Sequence, residues 1–204
     1  MVLSGLMHPQ DVVALQRESA NSWRSATRCD VQSDDGHAGR GGKPRRALHT
    51  AAGGEIHTAI YRQSWLAEFL GSTAGGVVQP TGPAGSYSYY THPGDHLGLH
   101  LDIDECDLSL ITCVTDSLRS RTRGRDGGGE IRIYHGYAGR SLRDVRRDVG
   151  WGSVDARLEP GQSLILLGGV LPHEVLPVRA GQARVVSLMC FKLEAGPNAR
   201  TADA

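Results

Sequence analysis

From residue 87 onward the chain alternates between short runs of apolar or β-branched residues and breaks carrying Gly, Pro or Asp. The runs span residues 87–91, 99–103, 108–115, 130–135, 154–158, 163–167, 173–178 and 184–191. Each has the length of a strand and side chains that would alternate between two faces. Eight short strands at fairly even spacing predict a β-sandwich or jelly-roll rather than a parallel sheet. The N-terminal part reads differently. Pro9 followed by Gln10, Asp11, Val12, Val13, Ala14 and Leu15 suits a short helix with Pro in its first turn. Residues 18–54 are rich in Ser, Gly, Arg and Asp, including the basic cluster 39–46, and predict a mobile loop. Over residues 56–70, Tyr61, Trp65 and Phe69 recur at four-residue spacing beside Leu66 and Leu70. That periodicity predicts an amphipathic helix packed on the sheet and stopped by Gly71. Residues 119–129 and 141–152, the latter with Arg143, Arg146, Arg147 and Trp151, read as solvated loops at which substrate contacts can form.

At 204 residues the chain suits one sizeable core with an N-terminal extension. The expected organisation is an extension over 1–55 with a short helix and a flexible loop, a single domain over 56–194, and a disordered tail over 195–204. Equal counts of 22 basic and 22 acidic residues give a formal net charge of zero, which argues against nucleic acid or an anionic membrane as a partner. Cys29, Cys106, Cys113 and Cys190 form no C-x-x-C pair and are expected as reduced thiols. No run approaches the about 20 apolar residues of a membrane span, and residues 1–6 lack the basic start and long apolar core of a leader. A soluble, cytoplasmic protein is expected.

The chemistry-bearing stretch is Thr91-His92-Pro93-Gly94-Asp95-His96-Leu97-Gly98-Leu99-His100-Leu101-Asp102, answered by Leu171-Pro172-His173-Glu174-Val175. In an extended chain His100 and Asp102 project to one face, and His173 from a distant strand can complete a triangular metal face. Two His and one carboxylate suit non-haem Fe(II), although zinc can take the same ligands. The ordered set comprises a tyrosine-rich strand, Pro93-Gly94-Asp95, His-x-Asp, a Gly-Gly-Glu hairpin, Pro160-Gly161, His173 and Arg184. It resembles the Fe(II)- and 2-oxoglutarate-dependent dioxygenases, and their prolyl-hydroxylase-like branch in particular, over roughly the last 120 residues.

The resemblance implies a mainly β, double-stranded β-helix (jelly-roll) fold buttressed by N-terminal helices. It implies Fe(II) on His100, Asp102 and His173, with 2-oxoglutarate and O2 as cosubstrates. Arg184 lies in an apolar strand and needs an anionic partner, because an unpaired buried charge costs several kcal/mol. The distal carboxylate of 2-oxoglutarate would serve, held by the planar guanidinium; an ion pair with Glu174 or Asp155 is the alternative. The family commonly places a hydroxyl two residues after this Arg, where this chain has Val186, with Ser187 next. Either a bulge restores Ser187 or the hydroxyl comes from Tyr87 or Tyr89, which share a face of the preceding strand. His92 and His96 are expected at the rim.

The activity implied is hydroxylation of an unactivated C–H bond of a small molecule, an amino acid or biosynthetic intermediate, coupled to conversion of 2-oxoglutarate to succinate and CO2. Hydroxylation of a peptide or protein side chain is the runner-up. A cupin-like isomerase or ligand-binding barrel is the rival from another class, since Gly94 followed six residues later by His100 also resembles the start of a cupin motif. Cupins usually want His in place of Asp102 and have no need of Arg184. The sequence sets no oligomeric state.

Overall fold

A computed structural model describes residues 1–37, 39–118, 128–148 and 152–195. The elements in chain order are β1 (Val2–Leu3), α1 (Pro9–Ser22), β2 (Thr27–Val31), β3 (Arg46–Ala52), α2 (Glu55–Tyr61), α3 (Ser64–Ala74), β4 (Gly76–Pro80), β5 (Ser86–Tyr90), β6 (His96–His100), β7 (Leu108–Asp116), β8 (Ile131–Ile133), α4 (Leu142–Arg147), β9 (Val154–Ala156), β10 (Ser163–Leu166), β11 (His173–Val175) and β12 (Arg184–Ala195). The strands form an antiparallel sheet in the order β1-β10-β7-β12-β5-β3-β6-β11-β8-β9, with β2 added to β3 and β4 to β12. This nearly closed sheet is the expected jelly-roll, with few helices. All eight runs read from the sequence contain strands. No helix of the described residues is long and apolar enough to cross a membrane.

Two apolar cores share the sheet. Inside the barrel, Leu48, Tyr90, Ile111, Ile131, Leu158, Leu164, Leu166 and Val186 pack together. On the outer face, Leu15 of α1, Tyr61 of α2 and Leu66 and Leu70 of α3 cover Tyr87, Tyr89, Leu110, Met189 and Phe191. The helices therefore buttress one side of the barrel. Strands β5 and β7 are largely buried on both faces, with the small hydroxyls of Ser88, Ser109 and Thr112 standing among their apolar and aromatic residues.

The loop expected over 18–54 is corrected at both ends, while the described residues between β2 and β3 carry no helix or strand. Helix α1 continues to Ser22, and β2 and β3 follow, with β3 hydrogen-bonded to β2 along one edge and to β5 and β6 in succession along the other. Alternation in β3 sends Leu48 into the barrel core and Ala51 to the helix side, so a strand with little bulk is still covered on both faces. The single helix expected over 56–70 is two, interrupted at Arg62 and Gln63. Gly71 does not end it: Gly71 is buried inside α3, where an added Cβ would lie 2.6 Å from the Gly76 carbonyl. The stop is Gly75, at φ 76°, a left-handed cap that glycine adopts without strain. Part of the loop read over 141–152 is α4, whose N-cap Ser141 accepts from Asp144 N. Residues 119–127, 149–151 and 196–204 lie outside the described residues.

The reduced-thiol expectation is corrected for one pair. Cys106 and Cys190 form a disulfide, their Cα atoms 5.0 Å apart and their positions 84 residues apart in sequence. Pairing of β7 with β12 brings them together, and nothing local announces it. Cys29 and Cys113 are free.

His57 of α2 is fully buried, its Nε2 2.9 Å from Ser187 Oγ. Burial pushes its pKa down to about 4, partly countered by Glu18. A histidine depressed from its ordinary value near 6.5 binds its proton more readily in the unfolded chain. Its contribution to stability is therefore complete above about pH 6.5 and is lost as pH falls toward 4. We expect the urea midpoint of the metal-free protein to fall across that interval, and to fall less in His57→Gln. An equally steep fall in the variant would assign the acid sensitivity elsewhere.

Candidate metal centre

Strand β6 ends at His100, so Asp102 stands beyond the ladder rather than on the strand expected over 99–103. His100 and His173 are direct partners across β6 and β11, their ring centroids 4.2 Å apart. Asp102 is brought to them by the chain following β10: its N–H donates to the Gly168 carbonyl at 2.9 Å. A Cβ at Gly168 would lie 1.8 Å from Asp102 Oδ2 and 3.3 Å from His173 Cε1, so only a bare backbone leaves room for the carboxylate. Ser109 Oγ donates to that same Oδ2.

Each imidazole is aimed from behind. His100 Nδ1 lies 2.8 Å from the Gly98 carbonyl and His173 Nδ1 lies 2.9 Å from the Leu171 carbonyl. A carbonyl can only accept, so Nδ1 carries the hydrogen and Nε2 presents its lone pair. Those two Nε2 atoms lie 3.5 and 3.6 Å from Asp102 Oδ1, too far for good hydrogen bonds. The three ligand atoms lie within 4.8 Å of one another, close enough to share one ion. Burial pushes His173 down to about 4, with the nearby His100 adding to it, so this imidazole is a neutral ligand at neutral pH. Burial opposes ionisation of Asp102, yet the adjacent His100 and His173 imidazoles and the Ser109 hydroxyl outweigh it and hold the carboxyl at about 2.

The triad opens into a cavity of about 520 Å³, counted out to its mouth, lined by Ser88, Tyr90, Leu97, Ile131, Val186 and Leu188 among others. Arg184 lies in this lining and is only 1% exposed. Neither Glu174 nor Asp155 is its partner: those carboxylates take Tyr134 and Arg132. Its Nη1 instead donates to Asp116 Oδ2 and to the Leu158 carbonyl, each at 2.9 Å, and Asp116 is itself buried and shared with Arg157 and Gln182. Arg184 Nη2 is buried with no hydrogen-bond partner. A buried donor of a cation left unmatched costs free energy unless an acceptor arrives. The cavity therefore offers two imidazoles and a carboxylate near one lining residue pair and a free guanidinium N–H at another, which fits a metal together with an anionic ligand.

Three residues expected at the cosubstrate face elsewhere. Tyr87 and Tyr89 point into the helix-covered core, where Tyr87 donates to Glu18 and Tyr89 to the Ser19 carbonyl, both at 2.8 Å. Ser187 meets His57 on that same side. The register shift between β12 and β7 falls between Val185 and Val186 and leaves Arg184, Val186 and Leu188 opposite Tyr90, Ser88 and Ser86 on β5. No bulge turns Ser187 inward. The hydroxyls beside Arg184 in the cavity are those of Ser88 and Tyr90. Strand alternation puts Ser88 and Tyr90 on one face and Tyr87 and Tyr89 on the other, but both faces of β5 are buried, so which of them lines the barrel was not legible. Ser109, Gly168 and Asp116 carried no motif at all. His92 and His96 are not at the triad: His92 stacks on His49 at 5.6 Å near the buried Asp95, and His96 Nδ1 takes the Gly94 carbonyl.

No protein-family model matches the sequence, and no curated protein does. Solved structures do match. A Pseudomonas putida prolyl-4-hydroxylase is 18% identical, with TM-score 0.61 over 95% of this chain and 92% of that one. EctD from S. alaskensis, solved with 2-oxoglutarate and 5-hydroxyectoine, is 15% identical, with TM-score 0.63 over 97% and 76%. The non-haem α-ketoglutarate-dependent epimerase SnoN from nogalamycin biosynthesis is 11% identical, with TM-score 0.64 over 94% and 76%. The chain has the double-stranded β-helix fold of the 2-oxoglutarate-dependent Fe(II) oxygenases.

Proposed function

We propose that the protein is an Fe(II)- and 2-oxoglutarate-dependent dioxygenase that hydroxylates an unactivated C–H bond of a small molecule, an amino acid or biosynthetic intermediate. The observation that carries this reading is the pairing, in one cavity, of the converging His100, Asp102 and His173 atoms with the buried, unmatched Nη2 of Arg184. Bound Fe(II) would supply activation of O2, coupled to conversion of 2-oxoglutarate to succinate and CO2. The His100 and His173 imidazoles and the Asp102 carboxylate would hold a divalent ion. Asp102 is ionised across the working pH range, so metal uptake needs no proton loss there. Arg184 Nη2 donates to the distal carboxylate of the oxo acid, with the Ser88 and Tyr90 hydroxyls as supporting donors. The apolar walls at Leu97, Ile131, Val186 and Leu188 exclude water and strengthen that charged contact.

The relatives support the class and differ in chemistry, an epimerase beside hydroxylases, which keeps the outcome at the C–H bond part of the proposal. A peptidyl hydroxylase is the second reading, favoured by the prolyl-4-hydroxylase of nearly the same length. Incubating the protein with Fe(II), 2-oxoglutarate and O2 tests the class: succinate should accumulate above a protein-free control, and amino acids rather than proline-rich peptides should stimulate it. Retention of metal with no succinate under any of these conditions would favour the cupin-like reading instead.

A further inference from the structure

We propose that Arg40 is a positioning residue of the metal centre, its guanidinium gathering the carbonyls of Asp102, Ile103 and Asp104 and so fixing the segment from which Asp102 reaches the ion. This rests on the reading of the triad as a metal site. Past the end of β6 the chain has left its ladder, so successive carbonyls that a strand would satisfy need other donors. Arg40 reaches all three, while the Ile103 carbonyl also accepts from Cys106 N at 2.9 Å and the Asp104 carbonyl from Lys192 Nζ at 2.7 Å. Arg40 Nε lies 3.3 Å from the Asp102 carbonyl, and Nη2 bonds the carbonyls of Ile103 and, at 3.1 Å, Asp104. Its remaining arm, Nη1, donates to Asp107 Oδ1 at 2.7 Å, which closes the segment into a loop around the guanidinium. The Arg40 side chain is 23% exposed and that of Asp107 19%, so the pair is far better shielded than a surface salt bridge.

The same guanidinium touches the second half of the site. A Cβ at Gly169 would lie 2.8 Å from Arg40 Cζ and 3.0 Å from both Nη atoms, so the planar group rests on bare backbone next to Gly168. Gly168 accepts the Asp102 N–H, and Gly169 N–H donates to the Asp107 carbonyl. Arg40 therefore ties together the two segments, 102–107 and 168–169, whose separation sets where the Asp102 carboxylate sits relative to His173. Lys192 reaches the same loop at the Asp104 carbonyl and Asp107, but as a point charge on one side and half exposed. Only the forked guanidinium spans three carbonyls. A residue from a stretch that composition marks as loop thus completes the scaffold of a ligand 62 positions away.

Titration of the metal-free protein with Co(II), followed by absorbance and calorimetry without cosubstrate, tests this alongside thermal melting. Arg40→Ala should bind about 10- to 100-fold more weakly, the loss typical of residues that orient a ligand. Arg40→Lys, which keeps the charge beside Asp107 and loses the fork, should fall between. Gly169→Ala is an independent route, since its new methyl displaces only the far end of a flexible side chain. It should weaken binding like Arg40→Ala even if that variant fails to fold. Affinities of Arg40→Lys and Gly169→Ala within twofold of wild type would overturn the proposal, whatever their melting temperatures. Should the wild-type chain itself take up no Co(II), the metal reading falls, and this inference with it.

Discussion

Asp102→Ala is expected to reduce 2-oxoglutarate turnover to background and to remove metal binding while the chain still folds. The carboxylate supplies the anionic donor of the triad, and the two imidazoles left behind cannot by themselves fix a facial set. The cost to the metal-free fold is modest. Asp102 is mostly buried, and its depression from an ordinary carboxylate value near 3.8 to about 2 corresponds to about 2 kcal/mol of stabilisation at neutral pH. That contribution is present above the ordinary value and fades as pH drops toward 2. A fall of several degrees in melting temperature, with near-native circular dichroism and no succinate, is the expected set of results. Normal metal uptake by this variant would remove Asp102 from the ligand set.

The second large effect falls on Arg184. Arg184→Lys should raise the KM for 2-oxoglutarate about 10- to 100-fold and leave kcat nearly unchanged. An ammonium can still face Asp116, but the second N–H arm, buried and unmatched in the wild-type protein, is gone. Losing one charge-assisted hydrogen bond costs about 1.5–3 kcal/mol, which converts to that range of affinity. A loss confined to KM marks binding made equally in ground and transition states. Arg184→Ala is the less informative variant. It removes the guanidinium from the buried Asp116 and leaves it Arg157, Gln182 and the Leu118 N–H, a change that destabilises the fold by several kcal/mol. An unchanged KM in Arg184→Lys would place the cosubstrate carboxylate elsewhere.

What the sequence made legible was whatever announces itself through local pattern or spaced polar residues in apolar surroundings. Eight short apolar runs marked β5 to β12, eight of the twelve strands among the described residues. His100, Asp102 and His173 stood out because each is a polar group embedded in or beside such a run, and the structure brings their ligand atoms together. Arg184 stood out for the same reason, though its protein partner is Asp116 rather than Glu174 or Asp155. The misses share a cause. Strand β3 is built from small and polar residues, and its burial comes from neighbours on both sides rather than from its own bulk. Ser187 and Tyr87 could be assigned to a face only by knowing which side of a doubly buried strand lines the barrel. Gly168, Ser109 and Arg40 act through contacts with Asp102 that no periodicity encodes, and the Cys106–Cys190 bridge depends on strand pairing across 84 positions.

Calorimetric titration of 2-oxoglutarate into the anaerobic protein, with and without bound Fe(II), tests the central claim most directly. A metal held by His100, Asp102 and His173 beside a waiting Arg184 predicts one cosubstrate per chain, bound tightly to the metal-loaded form and at least tenfold more weakly to the metal-free form and to Arg184→Lys. Equal binding with and without metal, or no binding to the loaded protein, would contradict it.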